Sequence, residues 1–134
     1  MLGLTTFAQE AVGSGGAAAA LFFALVIGHC LADFPLQGPF LAMGKNRHTR
    51  MPDPEGAPFP RNLWVYCLTS HALIHAGPVW LLTGSVYFAL AEFVLHWLID
   101  LAKNECWTNF AGDQTLHVAC KLAYALMIWK GIGA

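Results

Sequence analysis

Four apolar segments take up most of this chain, running from about Ala17 to Leu36, Asn62 to Thr83, Ser85 to Lys103 and Gly112 to Trp129. Each is near the ~20 residues that a helix needs to cross a bilayer. The first nevertheless admits a histidine and, four residues later, an aspartate, in the stretch GHCLADFPLQ from Gly28 to Gln37. Composition says which solvent such segments suit. The chain is 57% hydrophobic and 11% charged, against roughly 25% charged in an ordinary soluble domain. Its 134 residues therefore read as one membrane domain. The expected architecture is all-α, a four-transmembrane-helix bundle over residues 17–134 that follows a Gly-rich tail or interfacial segment at 1–16.

Gly44 to Arg61 holds four of the seven prolines (Pro52, Pro54, Pro58 and Pro60) and most of the charge, which is loop chemistry. Thr83-Gly84-Ser85 is a tight connection, and Asn104 to Ala111 is another short one. Lys45, Arg47, Arg50, Arg61 and Lys103 lie on the side of the first and third connections, whereas Lys130 lies with the termini. The positive-inside rule then makes 44–61 a cytoplasmic loop and both termini periplasmic, in a multi-pass protein of the bacterial inner membrane. Trp64 and Trp107 would sit at the cytoplasmic interface, and Trp80, Tyr87 and Trp129 at the other. A cleaved secretory signal is not expected, because no Lys or Arg precedes the first apolar run. With a net charge of -1, the chain lacks the clustered basic face that binds nucleic acid. Cys30, Cys67, Cys106 and Cys120 make no CxxC pair and read as buried free thiols.

The spacing seen at His29 and Asp33 recurs in every helix. His71 and His75 lie in the second, Glu92, His96 and Asp100 in the third, and Asp113 and His117 in the fourth. Five of the six histidines thus have a His, Asp or Glu four residues away, and the exception, His48, is in the polar loop. With 3.6 residues per turn, such pairs share a helix face about one turn apart. Bundle cores build metal sites from pairs of this kind on facing helices. All four pairs lie within about fourteen residues of the cytoplasmic helix ends, so they can meet in one layer.

A single pair is equally well explained by a hydrogen bond to a neighbouring helix. Nine ionisable groups at membrane depth are not, because each costs a few kcal/mol there. A divalent ion offsets that cost by neutralising carboxylates and accepting imidazole lone pairs. His29, Asp33, His71, His75, His96, Asp100, Asp113 and His117 are the expected ligands. They suit two or more zinc ions, with iron or manganese as alternatives. Haem fits less well, since it gives the carboxylates no role. Cys67 and Cys120 lie near the pairs but read as apolar packing. Gln37, Lys103 and Lys121 are secondary candidates, Lys121 because it continues the Asp113–His117 face. Pro35 should end or kink the first helix beside Asp33.

The motifs GHxLADFxLQ, HALIH, HxxIDxxK (His96, Asp100, Lys103) and DQxLH (Asp113 to His117) together resemble a bacterial membrane family known as domain-of-unknown-function family 3307. The resemblance covers Gly28 to Lys121 and implies a four-helix membrane fold without an assigned activity. More distantly, the HxxxD and DxxxH pairs are similar to those of zinc-dependent phospholipase C and of membrane-bound metal-dependent hydrolases. That likeness implies a metal-dependent hydrolase acting on a phosphoester or lipid-linked substrate at the cytoplasmic face. Glu92 is then a general base or a further ligand, and Lys121, Lys103 or the loop arginines hold the phosphate. Two other classes share the same residues, namely a metal-ion or proton transporter and a di-iron redox protein. A transporter should place polar groups through the full depth, whereas the outer half of each segment is almost purely apolar.

Overall fold

The computed structural model describes residues 7–53 and 55–133, and every regular element among them is a helix. In chain order these are α1 (Phe7–Ala11), α2 (Gly15–Asp33), α3 (Gly38–Gly44), α4 (Leu63–Thr83), α5 (Val86–Asn104) and α6 (Phe110–Trp129). Local chemistry sets their ends. The Ser14 side chain accepts from the Ala17 N–H at 3.3 Å to start α2, and Asn109 accepts from Gly112 at 2.8 Å to start α6. Gly84, with φ 68°, supplies the left-handed residue that closes α4 and turns the chain into α5. Helix α2 stops at Asp33, short of the expected Leu36. Pro35 has no N–H to continue the ladder and disfavours helical geometry in the residue before it.

The N-terminal part differs from a loose tail. Ala8 and Ala11 are fully buried, and α1 packs on α2, α4 and α6. Small side chains let this single turn lie close on the bundle, and the Gly13 N–H donates to the Trp129 carbonyl at 2.9 Å. Residues 1–6 of that expected segment lie outside the described residues. The chain also forms α3, packed on α4, before the proline-rich loop begins. The four cysteines are free, but only Cys67 is buried, whereas Cys30 and Cys106 are exposed.

The four long helices pack as a ring, α2 on α4, α4 on α5, α5 on α6 and α6 on α2. Along the ring axis the interior divides into two layers. Toward the Thr83–Ser85 turn lies an apolar layer of Leu21, Leu25, Val79, Phe88, Tyr124 and Ile128. Toward the 44–61 loop lie the buried ionisable residues: His29, Lys45, His71, His75, Glu92, His96, Asp100, Asp113, His117 and Lys121.

The outside is the reverse. Helix α5 buries Glu92, His96 and Asp100 while exposing Leu90, Val94 and Leu98, and α2 exposes Phe23, Ile27 and Leu31. Two helices, α2 and α4, are long and apolar enough to cross a membrane. Helices α5 and α6 have comparable lengths of 19 and 20 residues, but α5 carries three charged residues, Glu92, Asp100 and Lys103, and α6 carries Asp113 and Lys121 among further polar residues.

Helices α2 and α4 approach each other closely at Gly28. A Cβ there would lie 2.8 Å from the Pro78 Cβ, a rigid ring atom, whereas one at Gly16 would meet nothing within 4 Å. Gly28→Ala should therefore destabilise the bundle by about 1–3 kcal/mol through overpacking. Gly16→Ala should be neutral or slightly stabilising through helix propensity. Melting temperatures of the two variants in one detergent check this, and equal values would contradict the close approach.

Candidate metal centre

Every helical His and Asp singled out by spacing reaches the same layer. Four triads form, and within each the donor atoms lie within 4.8 Å of one another: His29–His75–His96, Asp33–His71–His75, His71–His96–Asp100 and Asp100–Asp113–His117. Together they contain the eight expected ligands. Because α2, α4, α5 and α6 close a ring, pairs one turn apart on the inner face of each helix converge instead of lining separate faces.

The imidazoles are close-packed. The His75 and His96 rings stack with centroids 3.6 Å apart, and His96 and His117 at 4.0 Å. Asp100 ties the set together, with Oδ2 3.3 Å from His71 Nε2 and 3.8 Å from His96 Nε2, and Oδ1 3.4 Å from His117 Nε2. Asp113 Oδ1 is 3.5 Å from His117 Nε2, and Asp33 Oδ1 is 3.4 Å from His71 Nε2. Near as these carboxylates lie, their geometry leaves the buried His71 Nε2, His75 Nε2, His96 Nε2 and Asp113 Oδ1 without a hydrogen bond among the described residues. A buried polar group left without a partner is destabilising. Converging imidazole lone pairs and carboxylate oxygens are the donor set that a divalent cation satisfies, so the residues fit a metal.

Two neighbours fix ring tautomers. His29 Nε2 donates to Gln114 Oε1 at 3.1 Å, which leaves the buried His29 Nδ1 as the lone-pair nitrogen. The same amide donates to Asp33 Oδ2 at 2.8 Å and to Asp113 Oδ2 at 3.3 Å. His96 Nδ1 donates to Glu92 Oε1 at 3.3 Å, leaving His96 Nε2 for the centre. Glu92 belongs to none of the triads. It lies behind His96, and Lys121 Nζ donates to its Oε1 at 2.5 Å. Partners of this kind orient metal-ligating histidines and raise their basicity.

Charge is nearly balanced. Lys45 pairs with Asp100 at 2.6 Å, Lys103 with Asp113 at 3.0 Å and Lys121 with Glu92. Asp33 has no ammonium partner, and at 11% side-chain exposure it is the most open of the four carboxylates. Lys103, at 29%, marks the same mouth. Gln37 caps α3 with a buried Oε1 that has no partner, and no cysteine joins a triad among the described residues. His48 lies apart on the surface, 3.2 Å from Glu105.

Lys45 and Gln114 are the members that spacing alone did not find. Gln114 stands inside DQxLH, but it follows Asp113 directly and so falls off the face that a four-residue repeat selects. Lys45 reads as one more cation of the basic loop. Only the end of α3 against α4, where a Cβ on Gly44 would lie 2.6 Å from Cys67 Sγ, carries it inward.

A family model described as "Protein of unknown function (DUF3307)" matches residues 21–132, which include every residue of the centre. No curated protein and no solved structure matches the chain.

His117→Ala should reduce metal content and thermal stability together, because Asp113 loses its imidazole and Asp100 one of three. Breaking a buried charged pair costs about 3–5 kcal/mol. His48→Ala should do neither. Metal stoichiometry and melting temperature of the two variants in one detergent decide the point, and metal loss confined to His48→Ala would place the site elsewhere.

Proposed function

We propose that this chain, which belongs to the DUF3307 family of proteins of unknown function, is a membrane-embedded metallohydrolase. Its substrate would be a phosphoester or another lipid-linked compound, approached from the side of the 44–61 loop. The observation that carries the reading is the convergence of five histidines and three aspartates, with partnerless buried nitrogens, inside a shell of exposed leucine, valine and phenylalanine.

That inverted pattern supports membrane embedding. Ionisable residues in a bilayer face the bundle interior, as the interior layer does here. Trp107 on the loop side, and Trp80 and Tyr87 beside the Gly84 turn, are exposed at opposite ends, as interfacial aromatic belts require. All four long helices are then spans. The basic loop is cytoplasmic and the chain's ends are periplasmic, in the inner membrane of a bacterium.

The triads also bear on the number of ions. His29–His75–His96 shares no residue with Asp100–Asp113–His117, and neither does Asp33–His71–His75, but every other pairing of triads shares a residue. At most two triads are therefore independent, which supports two ions. The mixed imidazole and carboxylate donors favour zinc over iron or manganese. When bound, such ions lower the pKa of water toward ~7 and stabilise developing negative charge. The chain's own residues do the rest. Gln114 and Glu92 hold His29 and His96 in the required tautomers, and Lys45 and Lys103 hold Asp100 and Asp113 in place. Asp33 and Lys103 stand at the mouth, where substrate and water enter. A transport path is disfavoured, because Leu21, Leu25, Val79, Phe88 and Ile128 close the opposite end.

Protein purified without chelator from metal-supplemented cells should contain about two moles of transition metal per chain. It should release phosphate from a lipid-linked phosphoester, and metal removal should abolish the release. Metal at well below about one mole per chain would end the metal reading. Full metal without hydrolysis of any phosphoester would leave a metalloprotein of another class.

Topology is checked separately. In a background with the native cysteines replaced by serine, Arg50→Cys should react with an impermeant thiol reagent only from the cytoplasmic side. Labelling from the periplasm would invert the orientation.

A further inference from the structure

Beside the metal centre the loop forms a second feature that the ligand set does not use. A cavity of about 370 Å³ lies between the 44–61 loop and the first turn of α4. Three guanidinium groups, those of Arg47, Arg50 and Arg61, line it together with Phe59 and Trp64, and none of its lining residues is acidic. Its volume is in the range of small-molecule pockets, about 300–1,000 Å³, so it has room for more than a bare ion.

The three arginines are not equivalent. Arg47 donates to Glu105 at 2.6 Å and lies 5.9 Å from the Trp64 ring centroid. Beside it, the Glu105 carboxyl is held below the usual carboxylate range. Arg50 and Arg61 have no carboxylate within 4.0 Å among the described residues. The loop's own acids do not neutralise them, since Asp53 Oδ1 instead accepts the Glu55 N–H at 2.8 Å. Leu63 and Trp64 bring the first turn of a 21-residue helix to the same wall, with no side-chain cap from Asn62. The positive end of that helix dipole adds to the field of the arginines. Unpaired guanidinium forks facing a shared cavity are suited to bidentate binding of phosphate.

We infer that this pocket binds the phosphate group of an anionic ligand, with Arg50 and Arg61 as its fork donors. Its role as the recognition subsite for the substrate of the metal centre rests on the metallohydrolase reading. Trp64 precedes His71 by seven residues on α4, about 10 Å along the axis. The pocket therefore holds a part of the ligand away from the metal ligands and leaves the centre free for the reacting bond. Lys45, next to Gly44 in the pocket wall, reaches Asp100 and connects the two regions.

The test is calorimetric titration of the full metal-loaded chain, in a nonionic detergent, with three probes: inorganic phosphate, dihexanoyl phosphatidic acid and neutral dihexanoylglycerol. Phosphatidic acid should bind, the neutral lipid should not, and Arg50→Gln with Arg61→Gln should weaken binding by about tenfold or more. Arg50→Lys with Arg61→Lys keeps the charge but loses the fork, so it should weaken binding by a smaller factor while guarding against a folding artefact. If inorganic phosphate matches phosphatidic acid, the ligand is a soluble phosphate. If it binds far more weakly, the ligand is a lipid headgroup. Either result upholds the site. Undiminished binding in the Gln variant, or no binding of either phosphate probe to the wild type, overturns it. Metal content of the same samples separates the two claims. Phosphate binding without metal leaves the pocket and removes the hydrolase reading, and metal without phosphate binding does the reverse.

Discussion

The carboxylate of Asp100 joins more of this molecule than any other group. Carried by α5, it is approached by His71 from α4, by His117 from α6 and by Lys45 from the end of α3. None of these contacts is strong alone at 3.3–3.4 Å for the imidazoles, but all are removed from water. In a low-dielectric interior an unpaired ionised group is heavily disfavoured. Each of the surrounding groups is therefore tolerable only while the others are present. The polar layer is consequently cooperative. Its geometry cannot drift helix by helix, because moving one donor strands several others.

That constraint explains the inverted packing. Once the interior of four helices is given to histidine, aspartate, glutamate and lysine, the apolar side chains that would fill a soluble core must face outward. The exposed residues Phe23, Leu31, Leu90, Val94, Leu98 and Leu116 do so. Such a surface marks contact with a membrane or with another protein. The hydrophobic contacts inside are left to the other end of the bundle, where Leu21, Leu25, Phe88 and Ile128 meet. Small residues, Gly28 against Pro78 and Gly44 against Cys67, let α2 approach α4 and α3 approach α4 closely.

Much of this is legible in the residues themselves. The four-residue repeat places His29 with Asp33, His71 with His75, and so on, because helical periodicity is a local property that needs no knowledge of the neighbours. The convergence of those faces is legible only as a shared depth, and the ring order of the helices supplies what depth alone does not. Glu92 shares the spacing and yet stands behind His96, since i and i+4 fixes a face but not the distance of a side chain from the axis of the bundle. Lys45 and Gln114 are illegible for opposite reasons. Lys45 reaches inward on its long aliphatic stem from outside any helical repeat, whereas Gln114 sits inside a motif but one step off its face. The packing of Phe7–Ala11 is not legible because five residues are too short to show a helical period, although Ala8 and Ala11 are small enough to fit the bundle end. Length and composition single out α2 and α4 as apolar enough to cross a membrane, and neither measure can tell inward charges on α5 and α6 from outward ones.

The apolar layer at the Gly84 end has a consequence for traffic. Val79 and Ile128 are buried there, with Leu21 and Leu25 beside them. On the proposed reading, whatever enters the polar layer would leave as it came, past Asp33 and Lys103 on the side of the 44–61 loop. Arrival and departure would then share one doorway, and a molecule lingering near it would obstruct both directions at once.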